Sequence, residues 1–392
     1  MSLTKVRALW VASATDLSTD PSANGSGYSP VPCSSLGDIV DGKAPIETEH
    51  FLGDNLPSPL LAGADGGTFE FGVDLEGLST DASDGETPVA NDYLDIILTH
   101  IFGSGSQTVI NGEGAASSTN SNITLDAAVT GLAAGILMPV YESTIPAGAV
   151  RTQWALVTGG TTTVPTVAPN WTSNPTTAAI AYGSKNYRYQ VADGNPLAFV
   201  YRDAALGTYR LMGWITSWRI EMQINRPVRA TFGVQFDTRT EEASAKSSLP
   251  AQAAPANPAI IGLASPVWFA GTRYGSASCT IEGGYTAVEV QDHGQVTGRS
   301  GYSRISMMPT VRIEPLRTWA VEEIKRNATS GSLLVQLGRG LLANDKLNTM
   351  AFALGGAQAS EVTWSDANGR SRLGVTFRAS RSSGGYCTLA RA

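Results

Sequence analysis

The sequence predicts a mainly β fold in which one structural module occurs twice. The chain has 42 glycines and 20 prolines among 392 residues, which is typical of a protein with many turns. Charged residues make up 16% of the chain, against about 25% in typical domains, so long charged helices are scarce. Apolar residues alternate with polar ones at a period of two, for example at Trp218, Ile220 and Met222. Such alternation is typical of strands with one buried face.

The length and the hydrophobic content set the scale of the fold. At roughly 100 to 200 residues per domain, 392 residues allow two or three domains. The hydrophobic fraction of 42% is sufficient for a folded core, so a globally disordered chain is excluded. The sequence has no apolar run near the ~18 residues that a membrane-spanning helix needs. We therefore expect a folded protein with no membrane partner.

A segment rich in alanine, serine and proline marks the clearest domain boundary. It follows residue 240 and shows no apolar periodicity. We expect residues 241–262 to be a linker between a first module, residues 1–240, and a second module, residues 263–392.

Two short motifs occur once on each side of this linker and in the same order. The motif V-x-[LI]-E-x-L spans residues 73–78 and 311–316, and R-x-x-[FL]-G-V-x-F spans residues 229–236 and 370–377. A shared order of motifs indicates the duplication of one module. The residues that we expect at equivalent structural positions of the two copies are Val73, Leu75, Val234, Phe236, Val311, Ile313, Val375 and Phe377.

A helix is predicted after the first motif in each copy. Apolar residues recur near helical spacing over residues 92–102, where Asp92 is a candidate N-cap. In the second copy, Thr318 precedes a helical pattern over residues 319–327, with acidic residues in its first turns. The sequence therefore predicts one helix per module.

The first copy is much longer than the second. Val73 and Gly233 are 160 residues apart, whereas Val311 and Gly374 are 63 apart, a difference of 97 residues. We place the extra stretch at about 104–206, because this part of the chain contains long runs of glycine, serine, threonine and proline. Only surface segments tolerate such composition.

The net charge of −7 hides an asymmetry between the halves of the chain. Residues 1–196 carry 6 Lys/Arg and 20 Asp/Glu, a net charge of −14, while residues 197–392 carry 21 and 14, a net charge of +7. The basic residues are scattered rather than clustered, which argues against a polybasic tail. We expect complementary surfaces that meet within or between subunits.

The sequence contains no recognisable catalytic motif, and we predict that the protein is not an enzyme. It has three histidines and three cysteines, with no motif of a hydrolase nucleophile, a metalloprotease or a phosphate loop. His100 lies inside the first predicted helix, where a packed or surface histidine is the usual situation. Cys33, Cys279 and Cys387 are too far apart for a disulfide framework or a metal site.

Carboxylate pairs and aromatic clusters give equally weak signals. Asp74 and Glu76 fall on one face of a predicted strand, as solvated carboxylates often do. The acidic loop at residues 81–86 does not match a calcium-binding loop, so we expect no metal and no cofactor. Trp214 and Trp218 are four apart and should point to one face, where we expect core or subunit packing.

The repeated motifs, the single helix in each copy and the linker together resemble the tail tube proteins of long-tailed bacteriophages. The likeness is to tandem forms with two tube modules in one chain, and it covers residues 37–102, 207–240 and 263–380. It implies modules that are β-barrels or sandwiches with one flanking helix. It also implies a structural virion protein that is assembled in the host cytoplasm.

The resemblance implies how copies of the chain would associate. Sheets of neighbouring modules would join into one continuous lumenal barrel, and the resulting rings would stack into a tube. Three tandem chains would form one ring with pseudo-six-fold symmetry. The partners implied are other copies of the chain, the tape measure protein and the tail-end proteins, while genomic DNA would pass through the lumen without specific binding.

The tube hypothesis assigns expected roles to the insertion and to the charges. Residues 104–206 should lie outside the tube, because a segment missing from one of two equivalent modules cannot belong to their shared wall. The acidic first half should contribute to a wall that repels DNA, and the basic second half should serve mainly stacking or lateral contacts. The candidates for contacts between rings are Asp81, Asp84, Glu86, Arg299, Arg304, Arg370 and Arg372.

Two other functions are compatible with the sequence. A virion or cell-surface adhesin would bind carbohydrate through exposed aromatic residues of the insertion, such as Trp154, Trp171 and Tyr187. A β-sandwich glycoside hydrolase would need two carboxylates across a cleft.

Overall fold

A computed structural model gives the fold of most of the chain. The residues described are 7–41, 46–47, 60–61, 66–78, 80–81, 92–103, 106–108, 119–125, 128–129, 131–142, 152–170, 179–181, 183–189, 195–205, 207–242, 246–252, 257–263, 265–291, 299–315, 319–326, 329–341, 346–367, 370–379 and 387–392. They form a mainly β protein, which confirms the predicted fold class.

The first 242 residues contain seventeen of the described strands and one helix. The strands that precede the helix are β1 (Arg7–Ser13), β2 (Ser29–Val31), β3 (Cys33–Leu36), β4 (Val40–Asp41), β5 (Ile46–Glu47), β6 (Leu60–Leu61), β7 (Gly67–Asp74) and β8 (Thr80–Asp81). Helix α1 (Tyr93–Phe102) follows, and then come β9 (Ser106–Thr108), β10 (Leu137–Glu142), β11 (Thr152–Gly160), β12 (Pro165–Ala168), β13 (Ala179–Ala181), β14 (Ser184–Arg188), β15 (Leu197–Asp203), β16 (Gly207–Gln223) and β17 (Arg229–Glu241).

The rest of the chain contains longer strands and a second helix. Its elements are β18 (Val267–Phe269), β19 (Thr272–Tyr274), β20 (Ser276–Gln291), β21 (Arg299–Pro315), α2 (Trp319–Arg326), β22 (Ser330–Leu341), β23 (Lys346–Ala367), β24 (Arg370–Ala379) and β25 (Cys387–Arg391).

The strand pairings follow the same order in the two halves of the chain. In the first half, β2 pairs with β1, β1 with β15, and β15 with β16, whose partner β17 pairs with β7, which pairs with β3 and β4. In the second half, β19, β18, β22, β23, β24, β21 and β20 are joined in the same sequence. Every one of these pairs is antiparallel.

One long strand in each half passes from one sheet layer to the other. The N-terminal part of β16 pairs with β15 and that of β23 pairs with β22, while their C-terminal parts take other neighbours. A β-bulge interrupts the register between Ile215 and Ser217 in β16, and another does so between Ala359 and Glu361 in β23. Bulges bend strands and increase their twist, so they let one strand serve two layers.

A single hydrophobic cluster fills the space between these layers in both halves. It includes Phe71 and Phe199 from the first half, and Phe269 and Phe377 from the second, whose rings lie 4.7 Å apart. The two halves therefore share one core rather than two separate ones.

Both predicted helices are confirmed. Helix α1 begins after Asp92, whose side chain accepts a hydrogen bond of 2.6 Å from the backbone N–H of Asp95. An N-cap of this kind satisfies one of the free N–H groups at a helix start. Helix α2 covers Trp319–Arg326, within the expected 319–327, and its expected cap at Thr318 lies outside the described residues.

The stretch without a counterpart in the second half is narrower than residues 104–206. Strands β10 to β13 form a separate four-stranded sheet, of order β12-β11-β10-β13. By contrast, β15 pairs with both β1 and β16, and β14 pairs with β25, so these two strands belong to the main sheet. Composition placed the end of this stretch too late, because short strands of the main sheet follow directly on polar loops.

The four-stranded sheet covers a face of the second half. Its Trp154 and Leu156 pack with Trp268 and Leu334 in one buried cluster, which also contains Ala351. The Trp154 ring is fully buried, and its Nε1 donates to Thr349 Oγ1 over 3.2 Å. The four-stranded sheet is therefore an integral layer of the fold, and its removal would expose these apolar residues.

The predicted linker lies along the first half as a docked segment. Trp10 Nε1 donates to the Pro250 carbonyl and Gln252 Nε2 donates to the Leu9 carbonyl, each over 2.8 Å. Leu249 packs against the buried cluster that contains Trp10. This part of the chain lacks apolar periodicity because it binds through isolated contacts rather than as a strand or helix.

The strand pairings show that the two repeated motifs cannot both mark equivalent positions. Val73 lies opposite Ala230, so the motif alignment would place Val311 opposite Ser371, but Val311 lies opposite Phe377. The expected residue-by-residue equivalence of the two motifs is therefore wrong, although the strands themselves correspond. A slip of six residues keeps every side chain on its face, because strands alternate with a period of two.

The two tryptophans of β16 point to opposite faces, contrary to the prediction. The bulge after Ile215 shifts the alternation, so that Trp218 shares the core face with Ile215. Trp214 lies opposite Gln235, on the other face. A spacing of four residues in sequence cannot reveal a bulge between them.

We predict that the alternation of β17 and β24 governs their sensitivity to truncation. Phe236 and Phe377 are both buried, so replacing either with alanine should destabilise the protein by about 3 to 5 kcal/mol. Thr231→Ala and Thr376→Ala, on the opposite face of the same strands, should cost about 1 kcal/mol or less. The midpoints of urea denaturation measure these differences. Equal losses for the two pairs would contradict the assignment of faces.

Candidate functional surface

A polar face runs across one continuous stretch of the main sheet. The strands in it are β3 and β4, then β7, β17, β16, β20, β21, β24 and β23, each paired with the next. The step from β16 to β20 joins the two halves through seven residue pairs, from Ser217 opposite Gly284 to Gln223 opposite Ser278. We call the solvated side of this stretch the polar face.

The alternation of residues explains why this face is polar. On the C-terminal part of β16, Trp218, Ile220 and Met222 are buried, while Ser217 and Arg219 are exposed. The other strands follow the same pattern, with their apolar side chains in the core. Each strand therefore contributes one apolar and one polar side to the sheet.

The polar face is concave and carries charges of both signs. It holds a groove of about 900 Å³. The charged residues that line the groove are Glu70, Glu221, Glu282, Glu361, Arg219, Arg312 and Arg378. Carboxylates and guanidinium groups are interleaved, as in the ion pair of 2.6 Å between Arg219 and Glu221. A surface without an excess of positive charge gains little affinity for phosphates from counterion release.

Basic residues of the second half are more prominent on this face than expected. Arg312 and Arg378 line the groove together with Glu70 of the first half. Arg372 lies on the same side of β24 as Arg378, and its Nη1 donates to the Glu314 carbonyl over 3.4 Å. Arg312, Arg372 and Arg378 of the second half therefore lie on the polar face, and a role for Arg372 in contacts between rings stays a prediction.

Two glycines allow close packing where the halves join. A Cβ atom at Gly283 would lie 2.7 Å from Cζ2 of Trp218, and one at Gly233 would lie 2.3 Å from Oγ of Ser217. The Ser217 hydroxyl can rotate away from position 233, whereas three atoms of the buried Trp218 ring lie within 3.0 Å of a Cβ at position 283. Glycine is therefore required at position 283 for β16 and β20 to pack as they do.

An ion pair whose arginine is fully buried joins the last strand of the second half to the first helix. Arg391 is fully buried, and its two terminal nitrogens donate to the Asp92 carboxylate over 3.0 and 2.7 Å. Its Nε donates to the Glu76 carbonyl over 3.3 Å. Such a bidentate pair fixes both distance and orientation. Asp92 therefore caps α1 and at the same time holds β25.

Further polar contacts surround this ion pair. Lys185 forms an ion pair of 2.5 Å with Asp95, which also accepts a hydrogen bond of 2.7 Å from the Tyr187 hydroxyl. The Glu76 carboxylate accepts a hydrogen bond of 3.0 Å from the backbone N–H of Asn257 in the docked linker. The first motif, α1, β14, β25 and the linker therefore meet at one buried polar cluster.

The pKa values in this cluster reflect burial and the arginine charge. Burial acts to raise the pKa of Asp92, but the charge and hydrogen bonds of Arg391 outweigh it, so this pKa lies below its ordinary value. Burial raises the pKa of Glu76, and the Asn257 N–H and the Arg391 charge offset this only in part. These carboxylates hold the fold together and do not face a cleft.

The structure places the expected repeat residues in the core. Val73, Leu75, Val234, Phe236, Val311, Ile313, Val375 and Phe377 are all buried. Among the candidates for contacts between rings, Asp81, Arg299, Arg304 and Arg370 lie in strands β8, β21 and β24, but their side chains are outside the described part of the structure. Asp84 and Glu86 also lie outside the described residues, so their role stays a prediction.

The carboxylate pair considered for glycoside hydrolysis does not share a cleft. Asp74 accepts a hydrogen bond of 3.1 Å from Arg229 on the polar face, whereas Glu76 is buried beyond the end of β7. The described part of the chain contains no cluster of His, Cys, Asp and Glu suited to a metal ion. The acidic loop after Asp81 falls outside that part.

His100 has a structural role in helix α1. Its Nε2 accepts a hydrogen bond of 3.2 Å from the backbone N–H of Ile215, and its Nδ1 lies 3.0 Å from the Asn195 carbonyl. These contacts fit a neutral ring with the proton on Nδ1. The histidine thus ties the helix to β16 just before the bulge, and this use leaves no ring nitrogen for acid–base chemistry.

The aromatic residues considered for carbohydrate binding do not form an exposed platform. Trp154 and Tyr187 are both fully buried, and Trp171 lies outside the described residues. Stacking of sugars requires accessible rings. This burial could not be predicted from the sequence, because both residues lie in a region of loop-like composition.

Sequence reasoning missed the contacts that join the two halves. The pairing of β16 with β20 and the ion pair of Asp92 with Arg391 connect residues that are about sixty and three hundred positions apart. The one available signal was charge, since an acidic first half and a basic second half should attract. Arg391 of β25 does bond to Asp92 of the first half, whereas Arg210, Arg229 and Arg239 bond to acidic residues within that same half.

We predict that loss of Asp92, whose partner arginine is buried, is more damaging than loss of Asp74, whose partner arginine is exposed. Asp92→Asn leaves the fully buried Arg391 without a counter-ion, which should cost about 3 to 5 kcal/mol at pH 7. Asp74→Asn breaks the more exposed pair with Arg229 and should cost about 1 kcal/mol or less. Urea denaturation at pH 7 compares the two variants, and similar losses would contradict the role given to Arg391.

The Asp92 contribution should also depend on pH. Because the folded pKa of Asp92 is below its unfolded value of about 3.9, its stabilising effect is complete above that value and disappears as the pH falls through the folded pKa. The difference in melting temperature between the unmodified chain and Asp92→Asn should therefore shrink below pH 4. A difference that stays constant down to pH 2 would show that the charge is not the cause.

Comparisons with known proteins do not assign the chain to a family. No protein-family model matches the sequence, and no curated protein was found to match it. In the part of the chain that the structure describes, no helix has the length and apolar character needed to cross a membrane. The polar face and the contacts that form it are therefore the basis for any functional assignment.

Proposed function

We propose that this chain is a structural protein that assembles into stacked rings and forms the hollow tail tube of a bacteriophage. Two tandem tube modules, each a β-barrel or sandwich with one flanking helix, would make up the chain. Three chains would close one ring with pseudo-six-fold symmetry. Its partners would be further copies of the chain, the tape measure protein and the tail-end proteins.

The observation that carries this proposal is the unbroken sheet from β3 and β4 to β23. One strand of the first half, β16, pairs directly with one strand of the second half, β20. The strands on either side of this junction follow the same order of pairing. A chain that already joins two similar units edge to edge is suited to join further units in the same way.

The concave polar face supports the assignment of a lumen. A closed barrel of many strands leaves an aqueous channel lined by the side that faces inward. The groove on this face has four carboxylates and three guanidinium groups among its lining residues, so its charges nearly balance. DNA could pass along such a wall without being retained, because retention depends on an excess of cations.

The opposite sides of the two halves are covered by other parts of the chain. The docked linker packs near Trp10, and the four-stranded sheet packs on Trp268. These layers lie on the strands β1, β15, β18 and β22, away from the polar face. Under this proposal they form the outer surface of the tube.

We predict that the purified chain forms rings or hollow tubes visible by negative-stain electron microscopy. Backbone pairing and apolar contacts should hold the rings together in 1 M salt, because salt does not screen them. Stacking through exposed charges should weaken as the Debye length falls from about 10 Å at 0.1 M to about 3 Å at 1 M. Tubes should therefore shorten in high salt while rings persist. A monomer at every concentration and salt level would refute the tube proposal.

We further predict that reversing the acids of the loop after β8 impairs stacking. Asp81→Lys, Asp84→Lys and Glu86→Lys together should leave rings intact but shorten the tubes, since stacking would lose its attraction to arginines of the next ring. Tube length by electron microscopy measures the effect. Tubes of normal length at both low and high salt would show that these residues do not mediate stacking.

A matched control places the same change of charge on the polar face. Glu70→Lys, Glu221→Lys and Glu361→Lys should not shorten the tubes, because this face would line the lumen. The altered tubes should instead retain DNA at low salt, since three carboxylates become cations. Normal passage of DNA, or shortened tubes, would contradict the position of the polar face.

A further inference from the structure

The stretch of sheet that carries the polar face has a strand edge at each of its two ends. At one end, residues 33–41 pair with β7 on one side. At the other end, residues 359–367 pair with β24 on one side. No strand among the described residues pairs with the second side of either segment. We call residues 33–41 the first edge and residues 359–367 the last edge.

Each edge exposes one large hydrophobic residue. Val40 on the first edge and Trp364 on the last edge are both 61% exposed, more than any other large hydrophobic side chain that the structure describes. Unpaired strand edges are sites of association in proteins, and they are usually blunted by charge, proline or cover. Hydrophobic side chains at both edges argue that each edge is covered by another strand in the assembled protein.

The junction between the two halves is an example of an edge covered by another strand. The C-terminal part of β16 is the last strand of the first half's part of the sheet, and it pairs with β20, the first strand of the second half's part. By order of pairing, the last edge corresponds to that part of β16, and the first edge corresponds to β20. The chain therefore contains, within itself, the contact that its two remaining edges would make.

We propose that the last edge of one copy pairs antiparallel with the first edge of a second copy, in the register of the internal junction. This inference rests on the proposed function, because it names the contact that would close the rings. The occupant is a second copy of this chain, since both complementary edges belong to the same molecule. Its chemistry is backbone hydrogen bonding together with apolar contact.

The β-bulges set the register on the last edge. Counting from the bulge in each strand, Arg219 corresponds to Thr363 and Ile220 corresponds to Trp364. In both cases the residue before the bulge, Ile215 or Ala359, pairs with a buried residue of the next strand. The position of a bulge is defined by the strand pairing itself, so it is a safer guide to register than the similarity of two short sequence motifs.

The same count fixes the register on the first edge. The residues before the two bulges pair with Val234 in β17 and with Phe377 in β24. On their other side, Val234 pairs with Phe69 and Phe377 pairs with Val311. Thr68 then corresponds to Thr310. Thr68 lies opposite Val40, whereas Thr310 lies opposite Glu282, so Val40 corresponds to Glu282.

The internal pairs now give the pairs between copies. Arg219 lies opposite Glu282, which places Thr363 opposite Val40 of the second copy. Ile220 lies opposite Ile281, and both are buried, which places Trp364 opposite Ile39 of the second copy. The most exposed tryptophan of the described chain would then lie against a hydrophobic residue, as its internal counterpart does.

Several contacts of the single chain with the first edge have to be accommodated. Arg7 Nη1 donates to the Leu36 carbonyl and the Tyr201 hydroxyl donates to the Gly37 carbonyl, each over 3.0 Å, and Arg7 also pairs with the Asp38 carboxylate. Arg7 forms a further ion pair of 2.9 Å with Asp203, which can hold it if its contacts to the first edge are released. The positions that carry the proposed register, Ile39 and Val40, follow these residues in the sequence.

Disulfide trapping tests the register directly. Residues opposite one another in antiparallel strands have Cα atoms about 4.5 to 5.5 Å apart, within the range that a disulfide spans. The variant Val40→Cys/Thr363→Cys, oxidised after assembly, should give a ladder of covalent oligomers on non-reducing gels. Neither single variant nor the unmodified chain, with its three native cysteines, should give this ladder.

The internal junction supplies the matched control. Arg219→Cys/Glu282→Cys joins the corresponding positions within one chain, so it should form an intrachain disulfide and no ladder. Rings without a ladder from Val40→Cys/Thr363→Cys would overturn the register while leaving the tube proposal standing. Absence of any ring for the unmodified chain would overturn both.

A second variant tests the edge without relying on oxidation. Trp364→Arg should leave a folded monomer with an unchanged circular dichroism spectrum, but the fraction in rings should fall about tenfold or more at equal concentration. Val164→Arg makes the same kind of change at an exposed residue in the turn between β11 and β12 and should assemble normally. Normal ring formation by Trp364→Arg would contradict the proposed contact.

Discussion

Backbone pairing between β16 and β20 is the constraint on which the rest of the structure depends. It makes one sheet out of two halves that repeat the same order of strands, and it requires glycine at position 283 beside the Trp218 ring. Because the sheet continues through the junction, the apolar sides of all its strands face one shared core. The polar sides are then left together on the concave face, which no single half would form alone.

The two halves solve the problem of their outward apolar faces in different ways. The first half buries Trp10 under neighbouring loops and the docked linker, while the second half buries Trp268 under the four-stranded sheet inserted in the first. The four-stranded sheet of the first half thus covers an apolar face of the second half, and β14 adds a further cross-connection by pairing with β25. Such exchange means that neither half has a complete fold without its partner, although the motifs alone suggested two independent modules.

The sequence predicted what local periodicity determines and missed what distant contacts determine. The β class, both helices and the burial of Phe236 and Phe377 follow from alternation, helical spacing and an N-cap, all of which are local. The register of the repeated motifs depends on a strand slip of an even number of residues, which leaves the alternation of apolar and polar residues unchanged. The faces of Trp214 and Trp218 depend on a bulge that their spacing does not reveal. The polar face could not be predicted either, because it requires knowing that β16 meets β20.

The division of charge along the sequence has its first use inside the molecule. Asp20, Asp41 and Asp74 pair with arginines of β16 and β17, within the first half of the fold, whereas Asp92 pairs with Arg391 of the second half and so joins the two halves. Arg391 is the most constrained of these partners, because it is fully buried and bonds both the cap of α1 and the end of the first motif. An ion pair of this kind adds little net stability compared with apolar packing, but it penalises any arrangement that leaves the charge unpaired. Its effect is therefore to fix how β25 sits on the first half, and with it the relative position of the two strand edges that a neighbouring copy would have to match.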